Sequence, residues 1–149
     1  MGTKDNIDVV RSYIERIVNQ GDVSAVGELC TEDMIWSGGS LGERRGLPAI
    51  KAFLVANVGG AFTEMHLEDK QLIADHDTVV ALFNNSGKNT GTFMGAPATG
   101  RSARWLGTGI YRVRDGKIAE ATFVEDILDL LIQLGVTTLP GTGRAGPGG

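Results

Sequence analysis

Three observations predict an α+β protein. Apolar residues recur at helical spacing in the first third of the chain, alternate at strand spacing in the second half, and return to helical spacing at 127–134. The expected architecture is a cone-shaped curved antiparallel sheet wrapped around N-terminal helices, with a short C-terminal helix. A chain of 149 residues suffices for one domain with its own core and no disulfides. Residues 1–139 are expected to form that domain. Residues 140–149, "PGTGRAGPGG", have little to bury and read as a flexible tail.

Each element has a local cause. Over residues 4–19, Ile7, Val10, Tyr13, Ile14, Ile17 and Val18 form one helical face. Gly21 supplies a left-handed cap and Asp22 opens a short second helix over 23–30. "MIWSGG" reads as a brief strand running into a Gly-rich loop. "GLPAIKAFLVANV" reads as a third helix, with Pro48 in its first turn and Ile50, Phe53, Leu54 and Val58 inward. After Gly59 and Gly60 the spacing predicts strands over 64–74, 78–87, 89–94 with 102–114, and 117–125. The last two are joined by Asp115-Gly116, a pair that tolerates the positive φ angles of a type I′ turn. Asp126 can N-cap the final helix and Gly135 can end it.

Composition excludes several function classes. Hydrophobic content is 42%, charged content 21% and the formal charge -4. Lys and Arg are scattered apart from short pairs such as Arg44-Arg45, so no nucleic-acid footprint is expected. No apolar run reaches membrane-spanning length, and "MGTKDNIDVV" has no signal-peptide pattern. The single cysteine, Cys30, sits in an apolar pattern and reads as a buried structural thiol, which suits a reducing cytoplasm. His76 falls in a turn and His66 on the polar side of its strand. No cluster has metal-ligand spacing, and "GGSLG" is neither a Walker loop nor a dinucleotide fingerprint. Neither metal nor cofactor is expected.

A curved sheet half-closed by helices encloses a small-molecule cavity. Strand parity places Trp105, Gly107, Gly109 and Tyr111 on one face, and Ala121, Phe123 and Glu125 on one face of the next strand. Trp36, Phe83, Trp105 and Phe123 are each either core or ligand platform; as a set around glycines they predict an apolar, roomy cavity. Asn85, in phase with Phe83, would offer a hydrogen bond to a ligand carbonyl. Two acids lie at the rim. Glu125 is an acid/base candidate or a solvated strand-end charge; Asp126 is an acid/base candidate or simply the helix cap. Val80 and Leu82 fall on the outer sheet face, where an apolar patch would suit dimerisation.

The stretch "NTGTFMGAPATGRSARWLGTGIYRVRDGKIAEATFVEDILDLLIQLG" resembles the C-terminal signature of the SnoaL-like polyketide cyclase family, and "VVRSYIERIVNQGDVSAVGEL" resembles its first helix. The resemblance covers residues 6–135. It implies the cone-shaped barrel of nuclear transport factor two-like proteins, a polyketide-like substrate and a homodimer. In family cyclases an Asp near the end of the last strand and a His on its neighbour do the acid/base work. Aligned through "DGKI", those positions are Phe123 and Gly109, and neither can transfer a proton. An epoxide-hydrolase pattern meets Gly107 and Gly109 where it needs Arg and Asp. A ketosteroid-isomerase-like site would have Tyr13 as oxyanion donor but Trp36 where a base is useful.

The expectation is therefore a cofactor-independent cyclase or isomerase that acts mainly by conformational templating in an apolar cavity. Two alternatives stand beside it: a non-catalytic binding module, and an acid/base cyclase using Glu125 or Asp126.

Overall fold

A computed structural model describes residues 2–141 of the chain. Helix α1 (Thr3–Ser12) continues without a break into a wider π-helical stretch, Tyr13–Asn19, that ends with the Gln20 N–H bonded to the Glu15 carbonyl. A 3-10 turn, Val23–Ala25, leads into α2 (Val26–Leu29), and β1 (Cys30–Ser37) follows directly. A short strand β2 (Glu43–Arg45) precedes α3 (Leu47–Asn57). The long strands are β3 (Phe62–Asp75), β4 (Thr78–Asn89), β5 (Ser102–Arg114) and β6 (Lys117–Glu125), and α4 (Ile127–Gln133) closes the fold.

Among the described residues the strands form one sheet in the order β2-β1-β6-β5-β4-β3. Every neighbouring pair is antiparallel except β1 with β6, which is parallel, a departure from the purely antiparallel sheet expected. Register shifts in β3, β1 and the β5–β6 pair bend the sheet, because each bulge adds a residue on one side only. The expected α+β class, with N-terminal helices against a curved sheet, is what the chain adopts.

Burial alternates residue by residue along β4 and β5, so one face lies on the core and the other faces outward. The core runs from Val10, Ile14 and Ile17 of the first helix to Val79, Phe83, Tyr111 and Phe123 of the sheet. A second cluster, with Phe62, Phe93, Trp105 and Leu130, lies under α4. Two side-chain amides clamp helix to sheet where strand pairing stops. Asn19 accepts the Leu67 N–H at 2.6 Å and donates to its carbonyl at 3.2 Å; Gln133 does the same for Arg104 at 2.9 and 2.6 Å.

Three expectations are corrected. Cys30 begins β1 instead of ending the second helix, and its φ of -123° and ψ of 150° are extended. β2 was not expected at all. The strand predicted over 89–94 is instead the start of a loop, since β4 ends at Asn89 and the Thr90 and Gly91 N–H groups both turn to the Ala61 carbonyl. Gly91 allows this crossing: a Cβ there would lie 2.4 Å from the Gly60 carbonyl oxygen. Buried Asn89 then organises the loop, donating to the Ala61 and Gly91 carbonyls and accepting from the Thr99 N–H and hydroxyl.

The tail expected over 140–149 lies, from 142 onward, outside the described residues. Among the described residues no helix is long and apolar enough to cross a membrane.

Asn89→Ala removes all four of those bonds and strands buried partners, so it is expected to lower stability by about 2 kcal/mol or more in urea denaturation. An unchanged midpoint would mean that the loop is held by other contacts.

Candidate functional site

Between the sheet, the π-helical stretch and α3 lies a cavity of about 90 Å³. Tyr13, Trp36, Phe83, Asn85, Trp105, Phe123 and Glu125, all singled out from the sequence, line it together. Each element delivers its residue by periodicity: β4 turns Phe83 and Asn85 inward, β5 turns Trp105, and β6 turns Phe123 and Glu125.

Gly107 and Gly109 also face inward, but they do not leave the room expected of them. A Cβ on Gly107 would lie 2.6 Å from the Phe83 ring and 2.8 Å from Glu125 Cγ. A Cβ on Gly109 would lie 2.8 Å from the Tyr111 ring and 3.0 Å from Phe123. The space above each glycine is taken by its neighbours. Phe123 is the hub, with ring centroids 5.4 Å from Trp36, 5.5 Å from Tyr111 and 6.5 Å from Phe83. The roomy hollow is thus corrected to a small one, well under the several hundred Å³ usual for a complete ligand site. A larger open cleft of about 840 Å³ adjoins it, bounded by Arg44, Arg45 and α3; Leu41, Phe53, Asn57 and Phe93 line both spaces. Arg44 stacks over the Phe53 ring at 4.3 Å on this boundary. None of these boundary residues was singled out as a site residue, because the contact between the two spaces is made only by folding.

Among the described lining residues Glu125 is the one carboxylic acid, and no Lys, Arg or His lines the cavity. It stands opposite Gly107 in the β5–β6 register and reaches over it. The Trp105 indole N–H donates to its Oε1 at 2.9 Å. Burial pushes the Glu125 carboxyl above its ordinary value; hydrogen bonds from Trp105 and Asn85 favour the anion and offset this only in part. A carboxyl in this setting gains and loses its proton nearer neutrality than a solvated one, the condition for acid/base work.

Asp126, the other acid proposed from the sequence, is a different case. It is exposed, does not line the cavity, and its Oδ1 accepts the Asp129 N–H at 3.0 Å as the cap of α4. Capping is the role its geometry shows. His66 is exposed on β3, and His76 lies in the β3–β4 turn beside Asp75. Cys30 is buried, and burial pushes its thiol up to about 12, so it is an unreactive core group. No three His, Cys, Asp or Glu side chains among the described residues are grouped to hold a metal ion.

Sequence reasoning placed Tyr111 on the inner face without giving it a role. It is fully buried and lines the cavity. The phenols of Tyr13 and Tyr111 are both raised, chiefly by burial, so both remain protonated donors.

A raised carboxyl carries a sign for stability. Above about 4.5 the unfolded chain releases the Glu125 proton while the folded protein still holds it, so stability falls as pH rises toward the raised value. Glu125→Gln has no such proton. The variant is expected to be more stable than wild type at pH 8 in thermal melts and to lose that advantage toward pH 4. A gap that does not vary with pH would show that Glu125 titrates normally.

The description of SnoaL-like polyketide cyclases matches residues 7–134. No curated protein matches the chain significantly. Among solved structures it is similar to IdmH, a proposed polyketide cyclase from Streptomyces antibioticus. The identity is 26% and the TM-score 0.75, over 88% of this chain and 99% of that one. It also superposes on TsrD from Streptomyces laurentii, with 21% identity and a TM-score of 0.80 over 92% and 99% of the two chains. An epoxide hydrolase from Mycobacterium tuberculosis shares the fold at 16% identity and a TM-score of 0.70, over 87% and 88%. With the match spanning nearly the whole folded part, the chain belongs to the SnoaL-like polyketide cyclase family.

Proposed function

We propose that the protein is a cofactor-independent cyclase or isomerase of a polyketide-like small molecule, with Glu125 as the group that moves the proton. One observation carries this reading: a single half-buried carboxyl lines an aromatic cavity, held by the Trp105 indole N–H at 2.9 Å, with no cation lining the space. A fold gains nothing in stability from such a group, whereas acid/base chemistry needs it. The reacting end of the substrate occupies the 90 Å³ cavity, and the remainder lies in the adjoining cleft past Leu41, Phe53 and Phe93. Trp36, Phe83 and Phe123 supply the apolar walls that orient it, and Asn85 and Tyr13 offer polar contacts. Templating, the leading expectation from the sequence, becomes the supporting contribution, because the space is too small to fold a whole chain by shape alone. Nucleic acid and membrane have no part in this reading, nor has a cofactor, and the reducing cytoplasm remains the compartment proposed.

The test is ring closure of a linear polyketide precursor by the purified protein, followed by mass spectrometry and NMR. Glu125→Gln is expected to lower turnover about 100-fold or more. Asp126→Ala should keep turnover while losing about 1 kcal/mol of stability. Full turnover in Glu125→Gln would return the reading to templating. Tight binding without rate enhancement by the wild-type protein would favour the non-catalytic binding module.

A second copy of the chain is proposed to cover the outer sheet face, where Ile73, Leu106, Ile110 and Val124 are exposed. Thr108 pairs with Val124, and Val80 with both Ile73 and Ile110, so the patch is continuous across four strands. Light scattering on the eluting protein should give a dimer mass that Val124→Glu halves. A monomeric wild type would rule the dimer out.

A further inference from the structure

Tyr111 lies two residues beyond Gly109 on the same face of β5. Its ring is fully buried and packs edge-on against Tyr13 and Phe123, with centroids 5.9 and 5.5 Å away. Those contacts hold the ring, yet the hydroxyl has no hydrogen-bond partner. An unpaired buried hydroxyl costs more than an ordinary hydrogen bond returns, and phenylalanine would fill the same space without that cost. The position is also prepared in the backbone. A Cβ on Gly109 would meet the Tyr111 hydroxyl oxygen at 3.1 Å, so the phenol sits where only glycine leaves it room.

The other cavity phenol is engaged differently, since Tyr13 already meets the Trp36 indole. Tyr111 lines the same cavity as Glu125, and burial, then Tyr13, then Glu125 all push its phenol up, so it keeps its proton and remains a donor.

We propose that the Tyr111 hydroxyl is a ligand-binding donor, kept unpaired in the free protein to receive a carbonyl or enol oxygen beside Glu125. The inference rests on the reading of this cavity as a small-molecule site. It adds the group that fixes the orientation of the ligand's oxygen, and it does not require Glu125 to move a proton. Because the donor keeps its hydrogen, its contribution grows as charge develops on the ligand oxygen.

Two probes of matching shape test this. Cyclohexanone carries an acceptor oxygen where methylenecyclohexane carries a CH₂ group. Binding is read by tryptophan fluorescence, and the bound carbonyl stretch by infrared spectroscopy, in wild type and Tyr111→Phe. Cyclohexanone is expected to bind wild type about tenfold more tightly than the variant. Its carbonyl stretch should fall in frequency on wild type only, and methylenecyclohexane should bind both proteins alike. Free Tyr111→Phe should melt about 4 °C or more above wild type, because an unpaired group has been removed. Equal cyclohexanone affinity for the two proteins, an unshifted stretch, failure of both probes to bind, or a lower melting temperature in the variant each overturns the proposal. Deuterium exchange at the cyclohexanone α-carbons, read by NMR in the same samples, reports on Glu125 separately. A shifted carbonyl without exchange supports the Tyr111 assignment while counting against proton transfer by Glu125.

Discussion

The site is organised around the problem of keeping one carboxyl, Glu125, inside an aromatic cavity without a counter-charge. Transfer of an ionised carboxylate into such surroundings is expensive, and the protein offsets it with neutral donors only, Trp105 and Asn85. The arrangement therefore shifts the acid's proton affinity upward instead of locking it as an anion, as an arginine would. It depends on Gly107, since any side chain there would collide with Glu125 Cγ and the Phe83 ring. Glycine on the central strand and an acid on the next are two halves of one feature.

The same logic explains why the cavity is small. The inward glycines of β5 are docking positions for the side chains of their neighbours, and the rings of Phe123, Tyr111, Phe83 and Trp36 close over them. Close packing of this kind fixes rotamers and gives the polar tips defined positions. It also leaves the boundary with the outer cleft to Leu41, Phe53 and Phe93, carried by a turn, a helix and a loop, while the strands hold Glu125 and Asn85. The loop bearing Phe93 is held by Asn89, so a buried amide at the end of β4 sets one wall of the site.

Polar groups that are a burden to the fold converge on this one space. A desolvated carboxyl and an unpaired phenol both weaken the folded state relative to apolar replacements of similar shape. Asp126, one residue from Glu125, shows the contrast. Its carboxylate is exposed, caps a helix and stabilises it. Adjacent acids of similar chemistry thus serve opposite ends, and solvent access decides which.

Much of this was legible in the sequence. Periodicity is local, so helical spacing over residues 4–19 and strict alternation in the two longest central strands translated into α1 with its extension, β4 and β5, and the Asp115-Gly116 turn joined β5 to β6 as expected. Parity likewise turned Phe123, Glu125, Trp105 and Asn85 inward, because side-chain direction along a strand follows from counting. Tertiary structure alone decided the parallel β1–β6 pairing, the replacement of a predicted strand by the loop after Asn89, the filling of the glycine positions, and the separation of Glu125 from Asp126. Each of these turns on which distant atoms come within a few ångströms, and neither spacing nor composition carries that distance.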